Sequence, residues 1–173
     1  EALMSPAALT IPERLRHAHV AINGSLMHPK PTGLSRYGVE LSQQLLRACP
    51  RSRIYTRFAE LRHQFPDQSV SAGPVFRVPA NTQSNLTRLA WQQTGLRWRL
   101  LRSNAQLHFS PIAEGLWAPP CPQVITVHDL LPLYDPTFMP RWTNYYRHVL
   151  PKLILQSRAT VCVSEFTRTQ LQR

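Results

Sequence analysis

A chain of 173 residues, 43% of them hydrophobic, is long enough for one globular domain with a real core. No apolar run nears the roughly 18 residues of a membrane span, and "EALMSPAALTIPER" has neither the basic start nor the apolar stretch of a signal peptide. Twenty Lys and Arg against nine Asp and Glu give a net charge of +11, a field suited to phosphates, nucleic acid or an anionic membrane face; no nucleic-acid motif accompanies it, so no specific nucleic-acid partner is expected.

Residues 1–17 read as an extended lead-in, with Pro6 and Pro12 against a long helix. "HVAIN" (19–23) is a first strand, and "GSLMHPKPTG" (24–33) a loop. "LSRYGVELSQQLLRAC" (34–49) carries Leu34, Tyr37, Leu41, Leu45 and Ala48 at helical spacing until Pro50 stops it. "SRIYTRF" (52–58) and "PVFRVP" (74–79) are the second and third strand candidates. "SNLTRLAWQQTGLRWRLLRS" (84–103) is an amphipathic helix with Gly95 as its weak point. "QLHFS" (106–110) is a short strand and "QVITVH" (123–128) a strong one. "PRWTNYYRHVLPKLILQS" (140–157) opens on a Pro suited to the first helical position, and Pro151 should kink it. "ATVCVS" (159–164) is a last strand, and "SEFTRTQLQR" opens a helix with Ser164 as N-cap.

Strands alternating with helices imply an α/β fold, a Rossmann-like doubly wound parallel sheet spanning residues 18–173. Ligands of such sheets bind at the carboxyl ends of the strands, near the switch in strand order. Three features fall at such ends: Gly33 after the first strand, His128–Asp129 after the middle one, and Ser164–Glu165 after the last.

Each has a plain reading beside a functional one. Gly33 before a helix is ordinary turn chemistry, or it lets an anion reach free backbone amides, with Arg36 adding charge. His128 can donate to or accept from a substrate, whereas Asp129 can also cap the following turn. Ser164 is an N-cap by default, and no G-x-S-x-G elbow surrounds it. Trp142, Tyr145 and Tyr146 read first as a core-facing stripe. The chain has only three aspartates, Asp67, Asp129 and Asp135, too few for a carboxylate–histidine metal cage or a two-carboxylate glycosidase. Cys49, Cys121 and Cys162 lack ligand spacing and read as small hydrophobes in a reducing compartment.

Together, "NGSLMHPKPTGLSRYGVEL", "VITVHDLLPLYDPTFMP" and "RATVCVSEFTRTQL" resemble the N-terminal half of family 4 glycosyltransferases, nearest the bacterial mannosyltransferase-like members of polysaccharide and lipopolysaccharide assembly. The resemblance covers most of residues 18–173. It implies the N-terminal, acceptor-side domain of a GT-B fold and retaining transfer of a hexose such as mannose from a nucleotide-sugar donor to a glycan or lipid-linked acceptor. It implies no cofactor and no metal. A C-terminal domain holding most of the donor is absent from the sequence, so this fragment should be inactive alone. The expected setting is the cytoplasm, with peripheral contact at the inner, anionic face of a membrane.

By motif, His128 would approach the transferred sugar with Asp129 supporting it. Gly33, Ser35 and Arg36 would face the donor diphosphate, and Ser164 and Glu165 the cleft wall. The family's first loop often reads G-x-G where this chain has Gly33-Leu34-Ser35, and often has Ala–Asp where this chain has Ser157–Arg158. The alternative to an enzyme is a non-catalytic Rossmann-like module that binds phosphate or a partner protein.

Overall fold

The computed structural model describes residues 13–28, 32–72, 82–137 and 139–172. Six parallel strands form one sheet in the order β3-β2-β1-β4-β5-β6. They are β1 (Val20–Gly24), β2 (Arg53–Thr56), β3 (Ser69–Ser71), β4 (Leu107–Ser110), β5 (Gln123–Val127) and β6 (Ala159–Cys162). The order reverses between β1 and β4, which is the switch point of a doubly wound, Rossmann-like fold. The expected strand at 74–79 lies outside the described residues. The third strand is the short Ser69–Ser71, whose Ser-Val-Ser sequence offers no hydrophobic run to read.

The pattern of β1 shows why the sheet has two layers. Val20 and Ile22 point to one face, where they meet Ile54 of β2 and Leu46 of α2 (Gly33–Ala48). Ala21 points to the other, where it meets Trp91, Leu96 and Leu100. Side chains alternate along a strand, so a strand covered by helices on both faces is buried throughout. Every residue of β1 is buried accordingly. Ile22 and Ile54 are fully buried, each contributing roughly 1.5–3 kcal/mol of transfer free energy. β6, paired only with β5, alternates between exposed and half-buried positions, as an edge strand does.

The long helix expected over 84–103 forms in three pieces: α4 (Thr82–Trp91), a π-helical turn (Gln92–Leu96) and α5 (Arg97–Arg102). The break falls at Gly95, where a Cβ would sit 2.6 Å from the indole of buried Trp91. The later helix divides into α7 (Pro140–His148) and α8 (Leu150–Gln156) at Val149, two residues before Pro151, whose nitrogen has no hydrogen to donate. Leu150 and Leu153 of α8 pack with Ile125 and Val127 of β5. Glu13–Arg16 (α1) forms one helical turn where the sequence reads as an extended lead-in, since its stretch Glu-Arg-Leu-Arg follows the prolines and holds none. Short helices α3 (Ala59–Gln64) and α6 (Leu131–Tyr134), with α9 (Glu165–Leu171) after β6, complete the described elements.

Candidate active site

The ends of three strands, β1, β4 and β5, and helices α2, α4, α6 and α7 line a cavity of about 200 Å³ at the carboxyl end of the sheet. Its polar lining comes from His128 and Asp129 after β5, Glu114 after β4, and Asn85 and Arg88 on α4. Its walls are largely apolar: Leu26 from the loop after β1, Leu34 from α2, Ile112, Met139, Trp142 and Tyr146. The cavity lies beside the β1/β4 switch, where the chain leaves these strands in opposite directions and opens a crevice.

His128 is fixed by its neighbours. Its Nε2 lies 2.9 Å from the carbonyl oxygen of Pro111. A carbonyl can only accept, so the proton sits on Nε2, and Nδ1 of the neutral ring is an acceptor. The Tyr37 ring meets the imidazole edge-on at 4.8 Å between centroids. The backbone is held too: Thr167 of α9 donates its hydroxyl to the His128 carbonyl at 3.1 Å. Asp129 accepts the Leu131 amide on Oδ1 at 3.0 Å, an Asx turn that starts α6. Its other oxygen has no described protein donor, and the residue is exposed.

Behind them lies a buried polar cluster. Arg88 and Glu114, 5% and 4% exposed, form an ion pair through Nη1 and Oε2. Gln92 donates to the same Oε2 at 2.7 Å, and Arg88 Nη2 donates to Asn85 at 3.3 Å. Burying a charge is tolerable only when it is paired and hydrogen-bonded, and both conditions hold here. Tyr145 donates to the Ala113 carbonyl at 3.0 Å, tying the Glu114 loop to α7. Burial first, then the Asp129 and Glu114 carboxylates, push the Tyr146 phenol above its ordinary range, so it stays an O–H group.

The start of α2 flanks this cavity. Thr32 caps the helix by accepting the Ser35 amide at 3.4 Å, and Ser35, itself buried, accepts the His28 amide at 3.3 Å. Ser35 is thus engaged in holding the loop. A Cβ on Gly33 would meet nothing within 4 Å. Packing among the described residues does not demand glycine there. Arg36 is exposed in the first turn.

Ser164 and Glu165 do not line the cavity. Ser164 caps α9 by accepting the Thr167 amide at 3.1 Å. Glu165 is exposed and pairs with Arg168, whose hydrogen bonds hold its carboxyl below the usual carboxylate range. The aromatic stripe divides. Tyr145 and Tyr146 pack against the β5 core, while Trp142 and Tyr146 face the cavity.

Sequence reasoning missed Glu114, Arg88 and Gln92. Glu114 is the acidic residue following β4, but only the fold shows β4 to be a switch strand. Arg88, on an amphipathic helix, reads as a solvent-facing charge until the fold supplies its partner.

A parallel Rossmann-like sheet with a cleft of this kind at its switch defines a ligand-binding α/β domain, consistent with the N-terminal domain of a GT-B fold. The sequence pattern of Glycosyltransferase Family 4 matches residues 31–173, and the chain belongs to that family. No curated protein and no solved structure matches it with comparable significance. Family membership implies a nucleotide-sugar donor and an acceptor. No helix among the described residues is long and apolar enough to cross a membrane.

Proposed function

We propose that this domain forms the acceptor side of a retaining glycosyltransferase that moves a hexose such as mannose from a nucleotide sugar to a glycan or lipid-linked acceptor in polysaccharide or lipopolysaccharide assembly. A second domain would hold most of the donor, and this domain would be inactive without it. The reading rests above all on His128. Its ring is held by the Pro111 carbonyl and the Tyr37 ring, and the residue lines the cavity. In this reading Nδ1, the acceptor of the Nε2–H tautomer, takes a hydrogen bond from a hydroxyl of the transferred sugar and fixes that sugar over the reacting carbon.

In this reading the start of α2 at Gly33 faces the donor diphosphate, with Arg36 adding positive charge. Departure of the nucleoside diphosphate builds negative charge, which helix amides and basic side chains stabilise without a metal. Asp129 keeps the turn after His128 in place. The net charge of +11 would hold the protein at the anionic, cytoplasmic face of a membrane where a lipid-linked acceptor lies. The non-catalytic alternative, a phosphate- or partner-binding module, predicts no transfer from any nucleotide sugar.

The test is His128→Ala in the full-length gene product, assayed with a panel of nucleotide sugars. We expect turnover to fall on the order of 10²-fold with unchanged circular dichroism, the scale of losing one fixed polar contact to a reacting group. Near-normal turnover would remove His128 from the chemistry.

A further inference from the structure

We infer that the outer face of α5, with the Trp117 loop strapped to it, is the surface by which this domain enters an anionic lipid bilayer. The inference rests on the membrane setting of the proposed function and adds the residues that meet the lipid.

Its starting point is apolar surface that folding leaves unused. Leu96 and Leu100 turn one side of the helix into the core. Trp98 and Leu101 lie on the other side, 52% and 60% exposed. Positions three apart share a helix face, so the two form one patch. Trp117, 52% exposed, extends it. Its carbonyl accepts from Arg97 Nη1 at 2.9 Å, and its amide donates to Gln93 at 3.0 Å. Arg97 and Leu101 are one turn apart, so this loop runs alongside the patch.

The loop is held there at a cost. The Ala118 amide donates to Gln156 of α8 at 3.1 Å. Ala118 also has φ 47°, in the left-handed region, and is the one non-glycine residue there among the described residues. Three side-chain anchors and a strained residue thus hold a tryptophan half in solvent. Strain kept beside an exposed aromatic points to a task outside the fold.

Charge names the partner. Arg97, Arg99 and Arg102 stand within the six residues of α5, and none has an acidic partner among the described residues. Between Asp67 and Asp129 the sequence has a single acid, Glu114, and it is buried against Arg88. The helix and loop that carry the patch therefore bring it no free negative charge. Indoles and leucine among guanidiniums suit a bilayer interface, where the indoles sit at headgroup level and the cations meet lipid phosphates. Arg102 stacks over the Trp98 ring at 4.0 Å from its centroid, so the two can enter together with the cation at headgroup depth. The same stacking disfavours nucleic acid, because a base needs a free ring face and one face of Trp98 is covered. Trp98 lies roughly 15 Å along the helical run from Arg88 on the cavity wall. Docking here sets a lipid-linked acceptor at that order of distance from the cavity.

The experiment is co-flotation of the full-length gene product with phosphatidylcholine vesicles, with and without about one-third phosphatidylglycerol. We expect binding to the anionic vesicles to be at least about tenfold tighter than to the neutral ones, with a blue shift of tryptophan emission. Trp98→Ser combined with Trp117→Ser should weaken it about tenfold or more with circular dichroism unchanged, since both side chains reach solvent. Arg102→Glu should weaken it severalfold. Arg62→Glu is the control. It makes the same change in net charge on α3, which packs on the opposite face of the sheet, and should barely move binding.

Unchanged binding in the double tryptophan variant would overturn the inference. So would equal losses in Arg102→Glu and Arg62→Glu, which would assign the attraction to net charge alone. Tighter binding to single-stranded DNA than to anionic vesicles at the same salt would overturn the choice of lipid. Vesicle binding that is lost in the double variant, with no transfer from any nucleotide sugar, would sustain the surface and sink the enzyme reading.

Discussion

β5 and β6 are neighbouring strands that end in the same kind of sequence and meet different fates. Each closes on a polar residue followed by an acid, His128–Asp129 and Ser164–Glu165, and each leads into a helix. After β5 the two residues line a cavity, because α4 and the β4 loop close over that strand end. After β6, at the sheet edge, the serine caps its own helix and the acid pairs with Arg168 in solvent. The same contrast separates the Arg–Glu pairs beside them. Arg88–Glu114 joins residues 26 apart and is buried, whereas Arg168–Glu165 spans one helical turn and is exposed. What a strand-end residue does is decided by what packs over it, and a local motif does not carry that information.

The largest expected effect is at the buried pair. Arg88→Ala leaves the Glu114 carboxylate buried without its counter-charge, and breaking such a pair costs about 3–5 kcal/mol. Urea unfolding should show a loss of that size at neutral pH. A loss below about 1 kcal/mol would mean that Glu114 is solvated and that the two pairs are alike after all.

How much of this was legible beforehand follows from the range of each signal. β5 was readable because burial on both faces writes a β-branched run, Val124–Val127, β1 by its shorter apolar run Val20–Ile22, and the α2 helix because burial on one face writes a period of 3.6. Ser164 was readable as a cap, since that bond reaches only three residues. The kink at Pro151 and the break near Gly95 were readable from backbone chemistry alone. Glu114 was not, because its partners, Arg88 on α4 and Gln92 in the π-helical turn after it, lie 26 and 22 residues earlier. Trp142 and Tyr146 were assigned to the core by their spacing. That spacing places a stripe on one side of α7, and nothing local says that part of the side borders a cavity.

Two histidines on adjacent strands extend the comparison. His128 stands at the cavity, while His108 in β4 is wholly buried, with Nδ1 3.0 Å from Gln123 Oε1. Burial lowers the His108 pKa from 6.5 to about 4, against a smaller opposing effect of the Gln123 bond. The unfolded chain therefore takes up a proton near pH 6.5 that the folded chain refuses until about pH 4. This part of the stability is complete above pH 6.5 and falls as pH drops through the window, by about 1.4 kcal/mol per unit, or about 2 kcal/mol between pH 6.5 and 5. Urea midpoints across that range should show the slope, and His108→Phe should flatten it. An unaltered slope in that variant would assign the acid sensitivity to other groups, His19 first, because burial also lowers its pKa.

At the edge strand the expected effect is smaller and of another kind. Ser164→Ala removes the acceptor of the Thr167 amide and should cost about 1 kcal/mol, visible as a modest fall in Tm. Thr167 also donates to the His128 carbonyl, so the cap has an indirect line to the cavity through α9. If α9 merely braces the end of β5, Ser164→Ala should lower stability far more clearly than turnover, and Ser164→Asp, another good N-cap, should restore the Tm. A turnover loss on the scale expected for His128→Ala, surviving in Ser164→Asp while the Tm recovers, would place the serine hydroxyl in the cleft and erase the contrast between the two strand ends.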